Sequence, residues 1–362
     1  MQVLPPIRVL VVDDSLIVRK ILGEILSART DVELAGSASS GEIALVKIPQ
    51  LKPDVVTLDI EMPGMNGLQA LAQIRKLYPK LPVIMFSTLT ERGAAETMEA
   101  LALGATDYAT KPTAGEGLAG AKNQIQRELI SKITALRPQS YASPKPVMGA
   151  TQTQRAIQRR IDIVAIGTST GGPNALAEVV PKMPADLPVP VVIVQHMPPL
   201  FTRLLAKHLS GKSRVSVVEA GARDLLEPGR VWIAPGDFHM VVTRDRDGLR
   251  LILNQDPPEH SCRPAVDVLF RSVARTFGPH ALAIVLTGMG SDGARGAAAI
   301  RQAGGEVLIQ DQATSVVWGM PGAVAAAGVA DQIYPLENIA PEIIRRVWLR
   351  RTPAARVSSA TV

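Results

Sequence analysis

The sequence is poor in cysteine and in aromatic residues. Its 362 residues include one cysteine, Cys262, and Phe, Trp and Tyr together make up 3%. A single cysteine excludes an internal disulfide and any metal site or cluster built on several cysteines. The five histidines are scattered and no HExxH motif occurs, so the spacing of histidines predicts no metal site either. The core must therefore be aliphatic.

Long hydrophobic runs are also missing. No stretch approaches the roughly 20 apolar residues of a membrane span, and two aspartates interrupt the apolar run near the N-terminus, unlike in a signal peptide. We expect a soluble, cytoplasmic protein with no membrane insertion. The net charge of +6 is only a weak sign of a polyanionic partner. Because the basic excess falls mostly within residues 137–160, no nucleic-acid partner is predicted.

Residues 137–160 are rich in Pro, Ser, Thr and Gln and contain no acidic residue, which predicts a linker. It separates two predicted domains, residues 1–136 and 161–350, and residues 351–362 are predicted to be a disordered tail. In both domains short apolar runs alternate with amphipathic segments, a pattern typical of parallel sheets with crossover helices.

The first domain is predicted to be a complete doubly wound, flavodoxin-like α/β fold with five parallel strands. The predicted strands are Ile7–Asp13, Val32–Ser37, Val55–Asp59, Val83–Ser87 and Asp107–Thr110. The helical patterns between and after them are Ile17–Ala28, Glu42–Gln50, Leu68–Tyr78, Ala94–Leu103 and about Ala121–Leu136.

The second domain is predicted to be doubly wound and mostly parallel, with one antiparallel hairpin. An Asp-Gly pair at Asp247-Gly248 lies between two apolar runs, which favours a hairpin inserted in the sheet or at its edge. The hairpin strands are His239–Arg244 and Leu249–Asn254. The other predicted strands are Ile163–Gly167, Val191–Val194, Val215–Glu219, Val231–Ala234, Ala283–Leu286 and Glu306–Ile309.

Acidic residues end two predicted strands of the first domain. Asp13 and Asp14 end the first strand, and Asp59 ends the third. Ligands of doubly wound sheets bind at the carboxyl ends of the strands, so these carboxylates are expected at one rim. They would repel each other unless a cation lay among them, and their hard oxygens suit Mg²⁺. The alternative is that each acid is a helix N-cap or a solvated loop residue.

Two further strand ends carry complementary chemistry. Ser87 ends the fourth strand with a hydroxyl, and Lys111 follows the fifth with a cation. Carboxylates, a metal, a hydroxyl and a lysine together can stabilise a phosphoryl group.

The segments VVDDS at 11–15, LDIEMPGMNG at 58–67, FSTLT at 86–90 and DYATKP at 107–112 resemble the receiver domain of two-component response regulators. The resemblance covers about residues 6–135. It implies that Asp59 accepts phosphate from a histidine kinase, and that Asp13 and Asp14 hold Mg²⁺. The residues it implies as switch or phosphoryl contacts are Ser87, Tyr108 and Lys111.

A second candidate site begins at residues 167–171, which fit the G-x-S-x-G pattern. In that motif a tight strand-to-helix turn exposes a serine, here Ser169, at a helix N-terminus whose N–H groups can hold an oxyanion. Taken alone, such a turn is more often a helix N-cap. The sequence does not favour a phosphate-binding loop here, because no G-x-x-x-x-G-K motif occurs.

His196 ends the neighbouring strand, and Asp292 lies in a Gly-rich turn after a third strand. All three side chains are therefore expected at one rim, where they fit a nucleophile, a general base and the acid that orients it. Each alone has a structural explanation, and the joint placement favours catalysis. Cys262 could instead suggest a cysteine hydrolase. We do not favour a cysteine hydrolase, because Cys262 precedes a helix and is expected to lie away from this rim.

The segments GTSTGGPNAL at 167–176, VQHMP at 194–198, WIAPGDFHM at 232–240, RPAVDVLF at 263–270 and LTGMGSDGA at 286–294 resemble the catalytic domain of chemotaxis protein-glutamate methylesterases. The resemblance covers roughly residues 160–350. It implies a catalytic triad of Ser169, His196 and Asp292, an oxyanion hole at Met289 and Thr170, and no cofactor in the esterase site.

The two resemblances together imply a phosphorylation-activated methylesterase that releases methanol from chemotaxis receptors and also deamidates receptor glutamines. The implied partners are those receptors and a chemotaxis histidine kinase. A DNA-binding regulator is a rival interpretation, but it needs a helical output module and the second domain is rich in strands. A protein-binding adaptor without hydrolysis is the other alternative.

Overall fold

The computed structural model describes residues 5–112, 117–137, 159–349 and 351. Most of the predicted linker and nearly all of the predicted tail lie outside these residues, so the proposed domain limits stay predictions. None of the described helices is long and apolar enough to cross a membrane.

The first domain is a five-stranded parallel sheet with the order β2-β1-β3-β4-β5, which confirms the predicted doubly wound fold. β3 and β4 are buried along their whole length because helices cover both faces. The strands are β1 (Ile7–Val12), β2 (Val32–Ala38), β3 (Val55–Asp59), β4 (Val83–Ser87) and β5 (Asp107–Thr110). The helices are α1 (Leu16–Ser27), α2 (Gly41–Leu51), α3 (Gly67–Leu77), α4 (Glu91–Ala102), α5 (Gly117–Ile125) and α6 (Ser131–Ala135).

One predicted helix of this domain is interrupted. The segment predicted as a continuous helix over Ala121–Leu136 contains a π-helical turn at Gln126–Ile130, between α5 and α6. The turn places Leu129 and Ile130 in the core beneath the sheet. An apolar periodicity predicts the helix but not the extra residue in one of its turns.

The second domain is a seven-stranded parallel sheet with the order β14-β13-β12-β6-β7-β9-β8. Its central strands β6, β7 and β12 are fully buried, which accounts for their continuous Val, Ile and Ala runs. The strands are β6 (Ile163–Thr168), β7 (Val191–Gln195), β8 (Ser216–Glu219), β9 (Arg230–Ile233), β10 (His239–Asp245), β11 (Gly248–Asn254), β12 (Ala281–Val285), β13 (Glu306–Gln310) and β14 (Gln332–Tyr334). The helices are α7 (Gly172–Val179), α8 (Phe201–Lys212), α9 (Val266–Phe277), α10 (Ala294–Gln302), α11 (Gly319–Ala326) and α12 (Leu336–Trp348).

The predicted hairpin is present, but it is neither inserted in the main sheet nor at its edge. β10 and β11 form a separate two-stranded sheet. This small sheet is attached to α9, where Val242 N donates to Ser272 Oγ at 3.0 Å and Thr276 Oγ1 donates to Val242 O at 3.1 Å. Side-chain contacts with a distant helix decide this position, and a turn signal does not encode them.

Candidate functional site

The acidic residues of the first domain meet at the carboxyl end of its sheet. Asp13 and Asp59 are 1% and 2% exposed, Asp14 is exposed, and one oxygen from each lies within 4.8 Å of the others. Lys111 Nζ lies 3.1 Å from Asp13 Oδ2 and 2.7 Å from Asp59 Oδ2. Burial raises the pKa of Asp59 to about 6, although the Lys111 ammonium opposes that shift. The site therefore favours a positive charge beside Asp59.

The donor set fits Mg²⁺. Apart from Lys111, no donor among the described residues reaches Asp13 Oδ2 or Asp59 Oδ2, although both atoms are buried. Together with the exposed carboxylate of Asp14 they offer hard oxygen ligands and an opening to water, which is the usual arrangement around protein-bound Mg²⁺.

The predicted switch residues lie on the two strands beside this site. Ser87 is buried, and its hydroxyl donates to Gly93 O at 3.0 Å. Tyr108 is also buried, and burial raises the pKa of its phenol well above the usual range. The main chain of Lys111 is fixed to the same edge because its N–H donates to Ser87 O at 2.7 Å.

Ser169 lies in a tight turn between β6 and α7. Its N–H donates to Thr287 O at 3.1 Å, and its carbonyl accepts from Gly172 N at 2.8 Å and from Gln195 Nε2 at 2.9 Å. Gly171 has a φ of +76°, a left-handed conformation that glycine adopts without strain. These bonds hold the serine at the end of its strand, directly before the N-terminus of α7.

Another glycine makes room for Ser169 from the turn that follows the neighbouring strand β12. A Cβ on Gly288 would lie 2.3 Å from Met320 Sδ and 2.9 Å from Ser169 Cβ. Any larger residue would therefore displace the serine or the methionine. The Gly-rich sequence after β12 thus serves close packing as well as turning.

The half-buried His196 and the buried Asp292 form a pair. His196 Nε2 lies 2.8 Å from Asp292 Oδ2, which also accepts from Val266 N at 2.7 Å. Burial raises the pKa of Asp292, but the hydrogen bond and charge of His196 together with the N–H groups of Asp267 and Val266 outweigh burial, and the net shift is downward. Burial lowers the pKa of His196, but its bonds to Asp292 and Cys262 outweigh burial and raise the pKa to about 9. The carboxylate thus stabilises the protonated imidazole.

The prediction that Cys262 lies away from the rim of Ser169 and His196 is wrong. Cys262 does precede a helix, α9, but its Sγ lies 3.6 Å from His196 Nδ1 rather than away from the rim. Both nitrogens of His196 therefore face a partner, and among the described residues Ser169 Oγ makes no hydrogen bond with it. The turn over residues 259–262 brings Cys262 to His196, just after the end of β7, which its sequence alone does not reveal.

Two backbone N–H groups near Ser169 have no hydrogen-bond partner among the described residues. One belongs to the next residue, Thr170, and the other to Met289 in the wall of the same cavity. In the described part of the chain, neither Thr170 N–H nor Met289 N–H donates a hydrogen bond. Thr170 and Met289 line one cavity with Ser169 and His196. Free N–H groups at a helix N-terminus and a neighbouring turn are the usual stabilisers of an oxyanion.

This cavity, of about 230 Å³, has walls from both domains. The first domain contributes Asp107, Tyr108 and Lys132, and the second contributes the residues around Ser169. Lys132 Nζ is fixed on the first domain, 3.0 Å from Asp107 Oδ1 and 2.6 Å from Tyr108 O. The first domain therefore closes one side of the cavity.

Sequence reasoning missed two residues of this cavity region. His260 lines the cavity, and its Nε2 lies 2.9 Å from the buried carboxylate of Asp267. Asp267 lies in the first turn of α9. The sequence signal for these residues is the short spacing between His260, Cys262 and Asp267 at the start of a strongly amphipathic segment. That spacing matches no known metal-binding or catalytic motif, so it predicts no site.

The chain matches two family models. Residues 9–121 match the response regulator receiver domain, and residues 164–343 match the CheB methylesterase. These ranges correspond to the two sheets described above.

The chain is also similar to whole proteins. It is 51% identical to a protein-glutamate methylesterase/protein-glutamine glutaminase of Trichodesmium erythraeum, over 95% of this chain and 100% of the relative. It is 49% identical to a protein of the same name from a Nocardioides species, over 98% of this chain and 100% of the relative.

Among solved structures, the Thermotoga maritima CheB methylesterase catalytic domain is 40% identical and aligns with a TM-score of 0.51, covering 52% of this chain and 99% of that one. The chain therefore belongs to the CheB methylesterase family, with a response regulator receiver domain ahead of the methylesterase domain.

Proposed function

We propose that this chain is a phosphorylation-activated protein-glutamate methylesterase that also acts as a protein-glutamine glutaminase. The names of its full-length relatives support both activities. The observation that carries the proposal is one cavity lined by Ser169, by the His196–Asp292 pair and by residues of the receiver domain. A DNA-binding output is not favoured, because the second domain is a parallel α/β sheet rather than a helical module.

In the proposed mechanism Ser169 attacks the carbonyl carbon of a γ-glutamyl methyl ester. His196 takes the serine proton and delivers it to the departing methoxide, which leaves as methanol. Asp292 orients the imidazole and stabilises its protonated form. Water then hydrolyses the acyl-enzyme with the same base. A glutamine amide reacts in the same way and releases ammonia.

The N–H groups of Met289 and Thr170 are proposed to stabilise the oxyanion that forms in both steps. Their lack of partners among the described residues supports this role, because such donors need no rearrangement when charge develops. Since His196 Nδ1 faces Cys262, a reactive arrangement requires the imidazole to exchange this contact for the serine hydroxyl.

We propose that Asp59 accepts a phosphoryl group and that Asp13, Asp14 and Asp59 hold Mg²⁺. The ion supplies charge neutralisation for the phosphoryl oxygens. Lys111 would pair with the same group, and Ser87 would leave its bond with Gly93 O to meet it. The added charge of about −1.5 to −2 is enough to bias the position of neighbouring side chains.

Receiver phosphorylation is proposed to open the cavity. Tyr108 in β5 and Lys132 in α6 of the receiver line the cavity of the esterase domain. Across the same interface Asn174 Nδ2 donates to Ala105 O at 2.8 Å. If Tyr108 moves when Ser87 rotates, these contacts weaken and the substrate can reach Ser169.

The proposed partners are methyl-accepting chemotaxis receptors as substrates and a chemotaxis histidine kinase as phosphodonor. The family supports both in general terms, because a methylesterase needs a methylated protein and a receiver needs a kinase.

The test of the nucleophile is product release by Ser169→Ala. We expect methanol release from methylated receptor membranes, and ammonia release from glutamine-bearing receptors, to fall by about three orders of magnitude or more. Ser210→Ala is the matched control, because it removes a hydroxyl from an exposed position on α8. Full activity of Ser169→Ala would contradict the proposal.

A further inference from the structure

The esterase cavity is lined by two histidines that are each paired with an aspartate. The first pair is His196 with Asp292. In the second, His260 Nε2 lies 2.9 Å from Asp267 Oδ2, and Asp267 is completely buried. The mechanism proposed above makes no use of His260.

Asp267 is fixed by the same turn that carries Asp292. Its Oδ1 accepts from Gly293 N at 3.0 Å and from Gly296 N at 2.6 Å, and its own N–H donates to Asp292 Oδ1 at 2.8 Å. Every oxygen of the two carboxylates therefore already faces an N–H or an imidazole nitrogen. A metal ion bound to this group would have to displace these donors, so the arrangement orients an imidazole instead.

The backbone that carries His260 is unusual. His260 and Ser261 have φ values of +52° and +61°, which non-glycine residues rarely adopt. Two hydrogen bonds between Glu259 and Cys262 close the turn, and Glu259 also pairs with Arg271. Left-handed residues of this kind persist where the surroundings hold them, and they concentrate at active sites. Here the held turn brings His260 to the cavity wall.

We propose that His260 contacts the leaving group of the substrate and favours amide hydrolysis over ester hydrolysis; this inference rests on the proposed function. Nε2 faces Asp267, and Nδ1 has no partner among the described residues. When Nε2 carries the proton that is donated to Asp267, Nδ1 is an acceptor. A glutamine amide offers N–H donors to it, whereas a methyl ester offers none.

The proton balance leaves His260 unchanged. Ser169 forms the new C–O bond, the C–N bond breaks, and the serine proton reaches the leaving nitrogen through His196, so that ammonia departs. By accepting an amide N–H, His260 orients the nitrogen so that its lone pair can receive that proton. The methoxy oxygen needs no such orientation by an acceptor.

The experiment compares ammonia release from glutamine-bearing receptors with methanol release from methylated receptors. His260→Gly removes the imidazole, and glycine adopts the positive φ without strain. We expect ammonia release to fall about tenfold or more and methanol release to change less than about threefold. Added free imidazole should restore part of the ammonia release. Ser261→Gly, in the same turn, should leave the ratio of the two products unchanged.

An equal fall of both products in His260→Gly, or no change in either, would overturn the role of His260. A wild-type protein that releases neither product would instead overturn the proposed function, and this inference with it. The two failures are thus distinguished by the wild-type measurement alone.

Discussion

Tyr108 of the receiver stacks on Phe201 of the esterase domain, with ring centroids 4.6 Å apart and planes inclined by 5°. Phe201 begins α8 and is fully buried, and Lys132 Nζ lies 4.8 Å from the centroid of the Tyr108 ring. Because Tyr108 also lines the cavity of Ser169, this stack connects the receiver with the proposed catalytic site.

Replacing one ring of the stack should activate the unphosphorylated protein. An aromatic pair contributes about 0.5–1.5 kcal/mol beyond its buried area, so Phe201→Leu should raise basal methanol release about two- to tenfold. The measurement is methanol release without phosphodonor. Phe277→Leu makes the same change at the end of α9, in a different part of the core, and should not activate. Equal basal rates in Phe201→Leu and wild type would show that the stack does not hold the domains together.

The pKa of His196 predicts a rise of activity with pH. Since that pKa is raised to about 9, the imidazole is mostly protonated at neutral pH and must lose its proton to act as a base. We expect methanol release to rise between pH 7 and pH 9. Asp292→Asn removes the carboxylate that stabilises the protonated form, so its profile should shift to lower pH while its maximum rate falls. A profile that is flat across this range would contradict the assignment of His196 as the base.

The raised pKa of His196 also predicts how its contribution to folding stability changes with pH. A pKa raised by folding contributes stability that is fully present below the ordinary histidine value of about 6.5 and is lost as pH rises through about 9. The free energies of unfolding of wild type and His196→Gln, measured by denaturant titration, should therefore differ most at pH 6 and least above pH 9. A difference that grows with pH would contradict this interpretation.

Cys262 requires a direct test because it contacts His196, the proposed base. If Ser169 is the nucleophile, Cys262→Ala keeps methanol release, and its pH profile shifts to lower pH because one contact that raises the pKa of His196 is lost. If the chain were a cysteine hydrolase, Cys262→Ala would lose activity to the same extent as Ser169→Ala. Methanol release by the two variants over a range of pH separates these outcomes.

Gly288 provides a structural test of the position of Ser169. Gly288→Ala places a Cβ 2.3 Å from Met320 Sδ and 2.9 Å from Ser169 Cβ, so we expect kcat to fall about 100-fold. Gly211→Ala on α8 is the control, because its Cβ meets no heavy atom within 4 Å. It should leave activity unchanged and stabilise slightly. Normal kcat in Gly288→Ala would show that the close packing does not fix the serine.

Much of both sites could be predicted because parallel sheets bring strand ends together. Asp13 and Asp59 lie at the ends of apolar strands that the sequence pattern predicts, and the parallel topology places both at one rim of the first sheet. Ser169 and His196 lie at the ends of such strands in the second sheet, at one rim of it. β14, with three residues at the edge of the sheet, was not predicted because its short, largely exposed sequence carries no strand signal.

The contributions of Cys262, His260 and Tyr108 depend on contacts between distant segments. The turn over residues 259–262 reaches the cavity through the contacts of His260 with Asp267 and of Cys262 with His196. Tyr108 reaches it through the docking of two domains. Neither kind of contact leaves a periodic pattern in the sequence. The separate position of the β10–β11 hairpin has the same origin.

The most direct test of the account measures methanol release from methylated receptor membranes with and without acetyl phosphate and Mg²⁺. Wild type, Asp59→Asn and Ser169→Ala are compared, and Glu61→Gln serves as an exposed carboxylate control. We predict that the phosphodonor raises release by wild type and Glu61→Gln, leaves Asp59→Asn at the basal rate, and has no effect on an inactive Ser169→Ala. Stimulation of Asp59→Asn equal to that of wild type, or release by Ser169→Ala, would contradict the central claim that phosphorylation of Asp59 controls hydrolysis at Ser169.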